Sequence, residues 1–114
     1  MQSSGWVTAT VALNGTTSGA TDLGGYYSHL IVLVPAVDSC TVTVTLSDDN
    51  STFYPLHVLD ADATGSLIQV SATLTTGTAA LILPIGGCQY FKVVCSNAQT
   101  SLARSFKCKG FNGG

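Results

Sequence analysis

Val7, Ala9, Val11 and Leu13 alternate with Thr8, Thr10 and Ala12 near the start of the chain. Cys40, Val42, Val44 and Leu46 alternate in the same way with Thr41, Thr43 and Thr45. Successive side chains of a strand point to opposite faces, so each run predicts a strand with one set in a core and the other outward. Threonine suits the outward set. Its branched Cβ fits a pleated surface, and its hydroxyl gives polarity without charge.

Further strands follow from composition and breaks. Residues 28–34 are almost continuously apolar, as in a strand covered on both faces, and Pro35 ends the run. Residues 53–59 carry Pro55, which restricts that strand to a sheet edge or a bulge. Residues 67–74 and 78–83 flank a Thr76-Gly77-Thr78 turn. Residues 89–95 set Phe91, Val93 and Cys95 on one face, and residues 102–111 predict a last strand with Phe106 and Cys108 inward. Between them stand turn formers: Asn14-Gly15, Gly24-Gly25, the Asp48-Asp49-Asn50-Ser51 run, the polar stretch 60–65, and Gly86-Gly87. Glutamate is absent and lysine and glutamine, which also favour helices, are few, so no helix is expected. The expected fold class is all-β: an antiparallel β-sandwich of roughly eight short strands.

Composition changes the picture in one respect. The 114 residues make one domain, 1–114, with ends near 1–5 and 112–114 expected to be flexible. Only 9% of them are charged, where a soluble domain averages about 25%, and the net charge is −2. So lightly ionised an exterior favours association. Much of the outside is expected to be covered by other protein. Lys92, Arg104, Lys107 and Lys109 are too few to neutralise many phosphates, so no direct nucleic-acid partner is expected. The sequence starts without a basic, then apolar, leader, and no apolar run nears the ~20 residues of a membrane helix. A chain made in a cytoplasm, with no membrane partner, is expected.

Catalytic chemistry is thin. Cys40, Cys88, Cys95 and Cys108 contain no C-x-x-C pair, so a zinc site is not expected, and a reducing cytosol disfavours disulfides. Small thiols buried in strands are the simpler reading. His29 and His57 lie in predicted strands, with no third metal ligand in view. Asp22, Asp38, Asp48, Asp49, Asp60 and Asp62 all fall at predicted turns or strand ends, where aspartate bends and caps backbone. Neither a G-x-S-x-G elbow nor a phosphate-binding glycine loop is present. The expectation is no enzyme, no cofactor and no metal.

Aromatic residues are the candidates for recognition. Trp6 opens the first strand at an outward position, Tyr26-Tyr27 follows a glycine pair, and Phe53-Tyr54 follows the acidic turn. Exposed rings mark protein interfaces or sugar platforms. The stretch 40–56 joins an alternating strand to the pattern Ser47-x-Asp49-x-x-Thr52-Phe53-Tyr54. Together with residues 20–25, the apolar strand ending at Pro35 and the aromatic strand 89–93, it resembles small virion proteins of tailed bacteriophages. The likeness spans roughly residues 16–96.

That resemblance implies a jelly-roll sandwich acting as a capsid decoration or cement protein. It implies a homotrimer bound to the phage major capsid protein on the virion surface. The candidate assembly contacts are Gln2, Trp6, Tyr26, Tyr27 and Phe111. In the alternative, a tail, fibre or receptor-binding component, Trp6 and Tyr27 with Asp48 and Asn50 are the candidate sugar contacts.

Overall fold

The computed structural model describes residues 3–37, 40–59, 67–69, 71–74 and 78–112. Among them are eleven strand segments and no helix: β1 (Val7–Val11), β2 (Thr21–Asp22), β3 (His29–Val34), β4 (Cys40–Ser47), β5 (Tyr54–Pro55), β6 (His57–Leu59), β7 (Leu67–Gln69), β8 (Ser71–Leu74), β9 (Ala79–Pro84), β10 (Tyr90–Cys95) and β11 (Arg104–Phe111). All pairings are antiparallel.

Two sheets form the body. One has the order β1-β11-β3-β9; the other runs β2-β10-β4, with β5 and β8 both pairing to β4. Val7 stands opposite Cys108, Thr21 opposite Phe91, His29 opposite Pro84 and Cys40 opposite Leu74. The partners' numbers add to nearly the same total each time. The chain is therefore one long antiparallel ribbon, doubled back on itself near its middle. That ribbon is rolled so that β11 also pairs with β3 and β10 with β4. The result is the eight-stranded jelly roll, β1-β11-β3-β9 facing β2-β10-β4-β8. The short segments β5, β6 and β7 lie in the connection between β4 and β8.

The core lies between the sheets. Ala9, Val11, Leu30, Val32, Val34, Leu83, Phe106 and Cys108 come from one, and Cys40, Val42, Val44, Leu46, Phe91, Val93 and Cys95 from the other. The inward set of β4 is buried at every alternate position, as its threonine spacing predicts. Strand β3 differs from its expectation. Leu30, Val32 and Val34 are buried, but His29, Ile31 and Leu33 are only half covered. Its second face is open because no layer lies outside that sheet among the described residues.

Residues 53–59 do not form one strand. Pro55 pairs at the edge of β4 in β5, and β6 turns away to pair with β7. Leu13 and Leu102, expected in strands, are 51% and 59% exposed and precede or follow the ladder. Gln99 is fully buried between them in sequence. Its backbone accepts from Asn14 N–H (2.8 Å) and donates to the Gly15 carbonyl (3.1 Å), while its amide donates to the Asn97 carbonyl (3.1 Å). This polar plug closes one end of the sandwich.

At the opposite end, both chain termini are tied down where they are described. Ser4 N–H donates to the Gly110 carbonyl (2.8 Å), and Gly110 N–H donates to Ser4 Oγ (2.9 Å). Ser28 N–H donates to Asn112 Oδ1 (3.0 Å). Gln2 lies outside the described residues, as do Asp38, Asp60, Asp62 and the Thr76-Gly77 turn.

Candidate functional site

The outer face of the β1-β11-β3-β9 sheet is built by register. Lys109, Ile31 and Ile82 stand in one row across it; Thr8, Lys107, Leu33 and Ala80 form the next. Phe111, His29 and Pro84 make a third row, in which the Phe111 and His29 rings stack at 5.4 Å. Trp6 stands outward just before β1 and is 47% exposed. The ammonium of Lys109 lies 4.7 Å from its ring centroid and that of Lys107 lies 5.4 Å away. The indole face carries negative charge density, so it holds the two cations over the sheet.

Two features leave this face unfinished. Ile82 is 64% exposed in mid-strand, next to half-covered Ile31. A shallow groove of about 500 Å³ runs beside it, lined by Leu33, Pro35, Ala80, Ser105 and Lys107 among others. Strand β9 is also the last in its sheet. Its sequence, Ala-Ala-Leu-Ile-Leu-Pro, carries no charge. Edge strands of proteins that stay apart are usually guarded by lysines, bulges or prolines, and here only the terminal Pro84 serves.

A second concavity, of about 530 Å³, opens beside the turn after β4. Asp48, Tyr54, Pro55, His57, Gly86, Gly87 and Cys88 line it, over Leu46 and Leu56. The turn itself is held by Asp49, whose Oδ1 accepts from Ser51 N–H (2.9 Å), Thr52 N–H (3.0 Å) and Ser47 Oγ (2.8 Å). The bonds from Thr52, Ser51 and Ser47 hold the Asp49 carboxyl below its usual range. Asp22 is lowered likewise, first by the Gln89 amide and then by Gly24 N–H.

The candidate residues separate accordingly. Trp6 and Phe111 share the outer face. Tyr26 is 69% exposed in the loop before β3. Tyr27 is half-buried and packs against the core. Asp48 and Asn50 belong to the turn after β4 in the other sheet, and Asn50 takes a left-handed backbone (φ 60°). Of Trp6, Tyr27, Asp48 and Asn50, only Asp48 lines the second cleft. Sequence reasoning passed over Ile31, Leu33 and Ile82 as outer-face residues, and Tyr54 with His57 as cleft residues. The signal for the first group was that the runs forming β3 and β9 are apolar at both parities.

The four cysteines are free thiols; Cys40, Cys95 and Cys108 are buried and Cys88 is half-buried. Burial raises Cys88, with Asp48 adding to it, and drives Cys95 and Cys108 up to about 12. Cys88, Cys95 and Cys108 are therefore not activated as nucleophiles. Among the described residues no group of three or more His, Cys or Asp side chains is placed to hold a metal.

No family model and no curated protein sequence matches the chain. Solved structures do. The SPBc2 prophage-derived protein YomS aligns over 92% of this chain and 93% of its own, at a TM-score of 0.53 and 12% identity. A family 89 glycoside hydrolase from Clostridium perfringens aligns over 95% of this chain at a TM-score of 0.53 and 11% identity, but over only 14% of its own length. At such identities the shared property is the fold.

Proposed function

We propose that this chain is a structural protein of a bacteriophage virion, a decoration or cement protein that binds the major capsid protein as a homotrimer. One observation carries the reading: the outer face of the β1-β11-β3-β9 sheet exposes an apolar patch of Ile31, Leu33 and Ile82 and ends in an uncharged edge strand guarded only by Pro84. YomS, which matches the fold end to end, is prophage-derived, and this supports the phage setting.

The mechanism is mechanical. Docking the face against neighbours removes Trp6, Ile31, Leu33 and Ile82 from water, at roughly 25 cal/mol per Å² of apolar surface. Lys107 and Lys109, fixed over Trp6, meet acidic groups of the neighbour and set the orientation. Each contact is modest, but a symmetric shell repeats it many times, and a trimer engages several sites at once.

A tail or fibre position is the second reading, favoured by the cleft beside Tyr54. One experiment separates the two. The full chain is run by size-exclusion chromatography with light scattering, then added to heads and to tails of the phage that encodes it. A trimer that binds heads and delays heat-induced DNA release supports cement. A species that binds only tails supports the second reading, and a monomer that binds neither overturns both.

A further inference from the structure

The cleft beside the turn after β4 is separate from the assembly face; the backbone N–H groups of Gly86, Gly87 and Cys88 are bonded elsewhere, but side-chain acceptors on its wall remain open. The Asp49 carboxylate is consumed by the turn, whereas Asp48 makes no hydrogen bond among the described residues and lies near enough to Cys88 for its charge to be felt there. Nδ1 of His57 lies 3.1 Å from the Pro55 carbonyl. A carbonyl only accepts, so this contact calls for a proton on Nδ1, and in the tautomer that carries it there Nε2 offers a lone pair. Tyr54 is 62% exposed and offers a ring face and a phenol. Gly86 and Gly87 hold left-handed backbones (φ 62° and 88°), so no side chain narrows that wall.

From this set we infer that the cleft is a binding site for a neutral pyranose sugar. A pyranose has one apolar face, which suits the Tyr54 ring, and a rim of hydroxyl donors, which suits two acceptors in Asp48 and His57 Nε2. The volume of about 530 Å³ is right for one or two such rings. The Asp48 charge selects against sugars that carry a carboxylate. The inference rests on the cleft alone and not on the assembly face.

Saturation-transfer and amide-shift NMR on the full chain test it, with methyl glycosides of glucose, galactose, mannose and N-acetylglucosamine, and with glucuronate as the anionic control. The expected result is transfer to at least one neutral glycoside, none to glucuronate, and shifts at Tyr54, His57, Gly86 and Gly87. Tyr54→Ala should weaken binding about tenfold. Tyr54→Phe, which keeps the ring, should lose less, and Asp48→Asn should lessen the discrimination against glucuronate. Silence with every glycoside, shifts confined to the Trp6 face, or unchanged affinity in Tyr54→Ala would overturn it. Head binding by Tyr54→Ala should match the parent, so failure here leaves the assembly reading standing.

Discussion

The Tyr27 ring lies directly across Gly110: a Cβ on Gly110 would stand 2.8 Å from Cδ2 and 2.9 Å from Cγ of that ring. Leu23 Cδ1 closes the same space at 3.1 Å. Glycine is needed here for room and not for a special backbone angle. The contact fixes the end of β11 where Ser4 and Asn112 tie the two termini. Gly110→Ala should therefore destabilise by about 1–3 kcal/mol through overpacking. In Tyr27→Ala the added methyl should be nearly neutral. Denaturant melts of the two single variants and the double variant measure that coupling; strict additivity would show that ring and glycine do not conflict.

Much of this fold is legible because the threonine spacing is so regular. Val42, Val44 and Leu46 can face inward only if Thr41, Thr43 and Thr45 face outward, and the structure obeys. The rolled order of strands is not legible, since it depends on which edges meet after the ribbon doubles. Strand β2 has only two residues, too short for any alternation. Gln99 reads as a loop residue, because nothing local reveals that Asn14 and Gly15, more than eighty residues away, pair with its backbone. The outer face was half legible. Trp6 stood out by its parity, but Ile31 and Ile82 become a surface only through the register of three strands. The cleft was least legible, since Tyr54 and His57 in the connection between β4 and β8 meet Gly86 in the connection between β9 and β10.

The assembly face should be separable from the fold. Trp6→Ala removes a half-exposed ring and two cation contacts, so it should cost no more than about 1 kcal/mol of stability. On the proposed function it should nevertheless weaken self-association or head binding severely. Lys107→Glu with Lys109→Glu should do the same and lessen the salt dependence of binding. Sedimentation and head-binding assays read both. Unchanged assembly in Trp6→Ala and Ile82→Asp alike would remove this face from the function.

Acid should loosen the turn after β4 and the Asp22 contact together. Both carboxyls titrate below their ordinary value of 3.8 in the folded chain. The folded state therefore binds fewer protons than the unfolded one in that range. Their stabilisation is complete above about pH 5 and is lost as pH falls through the ordinary and then the lowered values. Asp49→Ala should lower the melting temperature at neutral pH, and the gap from the parent should close in acid. A gap that stays constant down to pH 2 would contradict the assignment.

The thiols make the opposite prediction at alkaline pH. Cys95 and Cys108 are held near 12, against an ordinary 9.0, because burial opposes the thiolate. An unfolded chain releases those protons first, so it binds fewer than the folded chain between these values. Stability must then fall as pH rises above about 9. The same burial sets reactivity. At pH 8 a thiol with a value near 12 is thiolate in only about one molecule in ten thousand, and it is shielded as well. Iodoacetamide should therefore label Cys88 first, more slowly than a free peptide thiol because its own value is raised. Cys40, Cys95 and Cys108 should label only on unfolding. Mass spectrometry of briefly alkylated protein gives the order, and early labelling of Cys108 would mean that the sheet between β1 and β3 opens without global unfolding.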